Sequence, residues 1–278
     1  MSDWRDSISQ IVGAERIHDV NDYVSTCSIS NDSPLDYFYS EIQKILTISP
    51  HNSWKTNSWV GALSSIAMVS SVENYFRQIF SRTLKICTES QKAAARNNIN
   101  LGSVIWHPLH EIERGAFEHI SLASSENINT TAKKYLNIEL KSLGLGAILN
   151  EFDVICELRH GIVHSGKVLA GKNGIKLKLP TSNDSTLIDI GFAQFQELMA
   201  VCNALVVSSN KVLFEQVCER WATSWRSAPS WSHDSADEKI KAIWQLFHSK
   251  RDASNGVIPH RMTWVKCRNL IRAEFGIT

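Results

Sequence analysis

Between about Ser58 and Lys85 the chain places Ile66, Val69, Phe76, Phe80 and Leu84 at steps of three and four residues. Such steps return to one side of an α-helix, so the segment is expected to be a long helix with a single apolar stripe. The pattern recurs from Leu145 through Ile148, Leu149, Phe152, Ile155, Cys156, Ile162 and Val163. It recurs again from Phe192 through Phe195, Leu198, Met199, Cys202, Leu205, Val206 and Leu213 towards Trp221. Striped helices are stable only when their stripes are buried against one another, which sets the expected class as a mainly α helical bundle.

Shorter helices are expected over Leu35–Thr47, within 101–140 with a kink at Pro108, and around Glu238–His248 and Arg261–Phe275. Residues 168–179, VLAGKNGIKLKL, read as a small β-hairpin. Ile175 to Leu179 alternates with period two, and Gly171–Gly174 flanks a turn. The Ser- and Pro-rich stretch TSWRSAPSWSHDS is the best internal boundary. Three regions are therefore expected: an acidic helical extension at 1–57, a helical core at 58–222 and a Trp-rich, basic helical extension at 223–278.

Hydrophobic residues at 43% and charged residues at 21% are a globular balance, with 29 Lys and Arg against 28 Asp and Glu. No net charge announces nucleic acid or a membrane. The distribution is uneven: residues 1–50 hold three basic and eight acidic residues, whereas Lys239 to Thr278 holds eight basic and two acidic. The six cysteines are scattered without a C-x-x-C pair, which suits reduced thiols in a cytoplasm better than a disulfide scaffold or a zinc knuckle. The first residues lack a basic stretch followed by an apolar one, and no unbroken apolar run of about 18 residues occurs, so neither export nor a membrane span is expected.

Glu73 and Arg159 are charged residues on apolar stripes, and buried charges require compensation. Pairing the two across packed helices would supply it and would aim the guanidinium. A purely structural ion pair, or an Arg159 that reaches to water, fits the pattern as well. The surroundings of Arg159 carry more information: ELRHGIVHSG, residues 157–166, sets an Arg and two His within six residues at the end of a helix. His164 is suited to proton transfer near neutral pH, and Arg159 is permanently cationic and shaped for a phosphate.

The Arg159-x4-His164 spacing, the sequence RHGIVHSG, the acidic residue in SSVENYFR on an upstream long helix, and the elements that follow resemble the HEPN superfamily over roughly residues 58–221. That superfamily comprises helical domains, many of them metal-independent ribonucleases marked by R-x4–6-H. The resemblance implies Arg159 and His164 as the catalytic pair, His160 in the polar variable position and Glu73 as a supporting acid. It implies single-stranded RNA as substrate, no metal or cofactor, and a homodimer whose two motifs share one cleft. A role as a toxin or antiviral effector, held in check by an antitoxin or regulatory protein, belongs to the same expectation. A catalytically inactive helical protein that binds a protein or RNA partner is the alternative.

Other chemistries have weaker support. Glu157, His160 and His164 share a helix face and could offer a metal three ligands, with His107 and His110 as further donors. Cys156 stands near His160 but on the apolar stripe, where an inert buried thiol is expected. In the basic C-terminal helix Arg261, Lys266, Arg268 and Arg272 alternate with Trp264 and Phe275, an arrangement that can grip RNA or pack inward. Trp221, Trp225, Trp231, Trp244 and Trp264 are expected to anchor that end on the bundle.

Overall fold

The computed structural model of the chain describes residues 4–7, 15–26, 32–226, 233–259 and 262–277. By contacts the chain divides into two units, Met1–Asn31 and Asp32–Thr278. In the first, Trp4–Ser7 and Val20–Tyr23 form single 3-10 turns, the second capped by the Asp19 carboxylate. Cys27 and Trp231 lie outside the described residues, as does Arg261 in the expected basic helix.

The second unit is mainly α-helical. Its helices are α1 (Pro34–Ile48), α2 (His51–Thr56), α3 (Trp59–Ile86), α4 (Thr88–Ala94), α5 (Leu101–Trp106) and α6 (Ser125–Thr131). They are followed by α7 (Gly146–Ser165), α8 (Gly171–Lys176), α9 (Phe192–Ala222), α10 (His233–Phe247), α11 (Lys250–Ser254) and α12 (Trp264–Glu274). The long stripes became α3, α7 and α9, which pack on one another as the periodicity requires.

Along α3, Met68, Val69, Val72, Phe76, Ile79 and Phe80 are sealed from solvent. An aromatic ladder runs from Tyr75 through Phe76, Phe80 and Phe117 to Tyr135, with ring centroids 4.9–6.0 Å apart. The Tyr75 hydroxyl donates to Asn210 Oδ1 at 3.4 Å, and the Asn210 amide donates to the Phe247 carbonyl at 2.9 Å. These bonds satisfy buried polar groups while fixing α3, α9 and α10 in register.

Asp36 joins the two ends of this unit. It meets its own N-cap through the Ser33 hydroxyl, and it accepts from Ser249 Oγ, Lys250 N and Arg251 N at the start of α11. Trp221 and Trp225 are buried, and the Trp221 indole N–H donates to the Ala236 carbonyl, so the anchoring role expected of them holds. Trp264 packs under Lys241 and Arg268, and Arg268 pairs with Asp237. Part of the basic surplus at this end is thus neutralised within the fold.

The expected hairpin does not form: Gly171–Lys176 is a helical turn, and among the described residues there is no strand. Val168 makes one antiparallel bridge with Leu187, flanked by Leu169 N to Thr186 O and Ile188 N to Lys167 O, both 2.8 Å. The alternation at 175–179 had no second sheet face to fill, since Ile175 and Leu179 are exposed. Instead Glu157 on α7 captures Asn173 and Lys176 and holds α8 helical.

Among the described residues α9 has the length and mean hydropathy to cross a membrane. Its apolar stripe, from Phe195 to Trp221, is packed against α3, α7 and α10.

Candidate functional site

α7 carries the motif, and its last turns are shaped by two glycines. Gly166 closes the helix in the left-handed region at φ 58°, where a side chain would be strained, and Lys167 continues in that region at φ 75°. Gly161 lets the returning chain approach: a Cβ there would meet Ile188 Cδ1 at 2.5 Å. The motif therefore ends against an extended strap, residues 187–190.

With about 100° of rotation per residue, Val163, His160 and His164 fall about 40°, 100° and 140° round the helix from Arg159. Val163, His160 and His164 are exposed and Arg159 is half-buried, while Ile155 and Ile162, on the opposite side of Arg159, are buried. Arg159 thus stands on the edge of an open arc rather than in the middle of the packed face. Its Nε is buried with no hydrogen-bond partner, and among the described residues the side chain makes no ion pair. The guanidinium charge is thus uncompensated at the edge of the open arc, with Nε itself shut off from solvent.

The two imidazoles come together. His160 and His164 stand one turn apart with ring centroids separated by 4.6 Å and planes at 46°, both open to solvent. Arg159 and His164, by contrast, project from opposite edges of the arc.

Glu73 does not pair with Arg159. Its carboxylate is buried, accepts from Leu122 N at 2.9 Å and meets Arg77 Nη2 at 3.3 Å; Arg77 also donates to the Ile120 carbonyl. The acid is occupied in holding the 120–122 segment to α3. Sequence spacing placed it on the right helix face but could not see Arg77, one turn further along that face, as the nearer cation.

The other donors are dispersed. Glu157 is engaged with α8, and His107 contacts Glu118, which also accepts from Ser103 Oγ at 2.7 Å. Among the described residues no three His, Cys, Asp or Glu side chains converge as a ligand set. Cys156 is buried, and that burial pushes its thiol far above the ordinary range, the inert state expected for it. A depression of about 250 Å³ between α1 and α11, lined by Asp36, Tyr39, Lys250 and Arg251 among others, includes none of the motif residues.

No family model, curated protein or solved structure matches the chain. The site therefore rests on its own geometry. One residue beside the motif and one exposed apolar stretch carry no signal in the sequence pattern. Lys167 directly follows the helix-ending glycine and reaches back over Trp59 at the start of α3. Leu101, Ile105, Trp106 and Leu109 lie in a region whose periodicity is weak and are 70–84% exposed.

Proposed function

We propose that the chain is a HEPN-type, metal-independent endoribonuclease that cuts single-stranded RNA in the cytoplasm. The observation that carries the proposal is the exposed His160–His164 pair sharing one solvent arc with an Arg159 whose Nε has no partner. A ribose 2′-oxygen attacks the adjacent phosphorus as a neutral imidazole takes its proton. The P–O5′ bond breaks and the leaving oxygen receives a proton from a protonated imidazole. Arg159 stabilises charge on the phosphoryl oxygens. The products are a 2′,3′-cyclic phosphate and a 5′-hydroxyl.

His164 moves a proton in this scheme and His160 supports it. Glu73 contributes by holding the 120–122 segment to α3 rather than by touching RNA. The angular separation of Arg159 and His164 favours a composite site in which a second copy of the chain supplies the missing partner across a two-fold axis. An RNA-cutting chain of this kind suits a toxin or antiviral effector governed by an antitoxin or regulatory protein.

Incubation of the full chain with single-stranded RNA in excess chelator tests the proposal. RNA is expected to be cut to cyclic-phosphate ends while DNA of the same sequence survives, and Arg159→Ala and His164→Ala each lower the rate about 100-fold or more. Undiminished cutting by both purified variants contradicts it.

A second function, binding a protein partner without catalysis, is favoured by one observation. Leu101, Ile105, Trp106 and Leu109 form an exposed apolar cluster of the kind that marks interaction surfaces. Intact RNA after prolonged incubation with the full chain selects this alternative.

A further inference from the structure

Lys167 is held in place by its backbone before its side chain does anything. It sits at φ 75° just beyond the helix end, its N–H donates to the Gly161 carbonyl at 3.3 Å, and its own carbonyl accepts from Ile188 N at 2.8 Å. From that fixed point Nζ donates to the Ser58 carbonyl at 3.1 Å and lies 5.5 Å from the centroid of the Trp59 ring. An ammonium has three donors, and this one spends a single hydrogen bond on Ser58. Among the described residues it has no carboxylate partner, and the Trp59 ring face and the Ser58 carbonyl are what it meets.

Trp59 is equally set. As the first residue of α3 it is placed by Gly61, whose hypothetical Cβ would lie 1.8 Å from the Ile190 carbonyl oxygen, so α3 and the strap touch backbone to backbone there. The same strap meets Gly161 through Ile188. Two residues of extended chain span roughly 7 Å, which brings the start of α3 beside the last turn of α7. The indole is nevertheless 45% exposed, and Leu63, one turn further on, extends the apolar shelf.

A half-exposed aromatic ring with a cation over one face and no carboxylate to neutralise it leaves the opposite face for a base and the charge for a phosphate, the two contacts that single-stranded nucleic acids use. We propose that Trp59 is a stacking platform for one base of the RNA strand and that Lys167 meets a neighbouring phosphate, three residues beyond His164. This deepens the nuclease proposal and rests on it for the identity of the ligand. The subsite is sequence-tolerant, because every base offers a π face.

The test uses the full chain carrying His164→Ala, which holds RNA without cutting it. Binding of a labelled short single-stranded RNA is followed by anisotropy. Adding Trp59→Ala is expected to weaken binding by about 5- to 100-fold, whereas Trp59→Phe keeps most of the affinity. Lys167→Met is expected to weaken binding and to reduce its dependence on salt. Circular dichroism of each variant confirms that the helices persist. Binding by Trp59→Ala within twofold of its parent overturns the subsite, and so does a loss as large in Trp59→Phe as in Trp59→Ala. If Arg159→Ala and His164→Ala still cut RNA while Trp59→Ala binds poorly, the subsite stands and the catalytic assignment falls. If those variants are inactive and Trp59→Ala binds normally, the subsite alone falls.

Discussion

Arg159 illustrates how one side chain can satisfy a pattern and still be placed otherwise. Helical spacing set it on an apolar stripe and suggested a carboxylate partner. In the fold it stands where that stripe emerges into solvent, its Nε unpaired, while Glu73 answers to Leu122 and Arg77. His248 makes a separate prediction at this scale. Burial pushes its imidazole, stacked on Trp244 at 3.9 Å, below the ordinary 6.5, against the upward pull of Asp36 and Asp252. The folded chain thus holds this proton more weakly than the unfolded chain. The stability it brings is complete above the unfolded value near 6.5 and is lost as pH falls through it towards the lower folded value. Thermal melting compared at about pH 7.5 and about pH 5.5 is expected to show a drop that His248→Gln reduces. A drop of unchanged size in the variant contradicts the assignment.

Among the elements, the helices that bury an apolar stripe were legible, α1, α10 and α12 as well as the long ones, and the 168–179 segment was not. α3, α7 and α9 agree with their apolar spacing to within a residue or two at each end, because each buries a whole stripe and tertiary packing reinforces local preference. The 168–179 segment misled because its alternation of apolar residues and lysines has no buried face to serve. A distant Glu157 decides its conformation, and no local pattern could disclose that contact. The strap and its two glycines were hidden for the same reason. Their roles differ measurably. At Gly61 an added methyl meets carbonyl backbone, whereas at Gly161 it meets the end of the Ile188 side chain, which can turn aside. Gly61→Ala is therefore expected to cost about 2 kcal/mol or more, and Gly161→Ala about 1 kcal/mol or less, since alanine also favours the helix. Denaturant unfolding measures both; equal costs at the two sites contradict this account of the strap.

For the whole molecule, the motif's location was readable because residues 157–166 are contiguous, but its geometry was not. Helical spacing put His160 and His164 on one face, but only the fold shows that this face is open to solvent and that Arg159 stands at its edge rather than amid the packed stripe. The separation of Arg159 from His164 makes the number of chains in the active particle the decisive question. In a two-chain site, a pairing of one Arg159→Ala chain with one His164→Ala chain rebuilds one complete Arg–His set out of two. The most direct measurement is RNA cleavage in chelator by each variant alone and by the two refolded together. The account predicts that each is inactive alone and that the mixture recovers roughly a quarter of the unsubstituted rate, as random pairing of two kinds of chain implies. Full cleavage by either variant alone, or a mixture as inactive as its components, would contradict it.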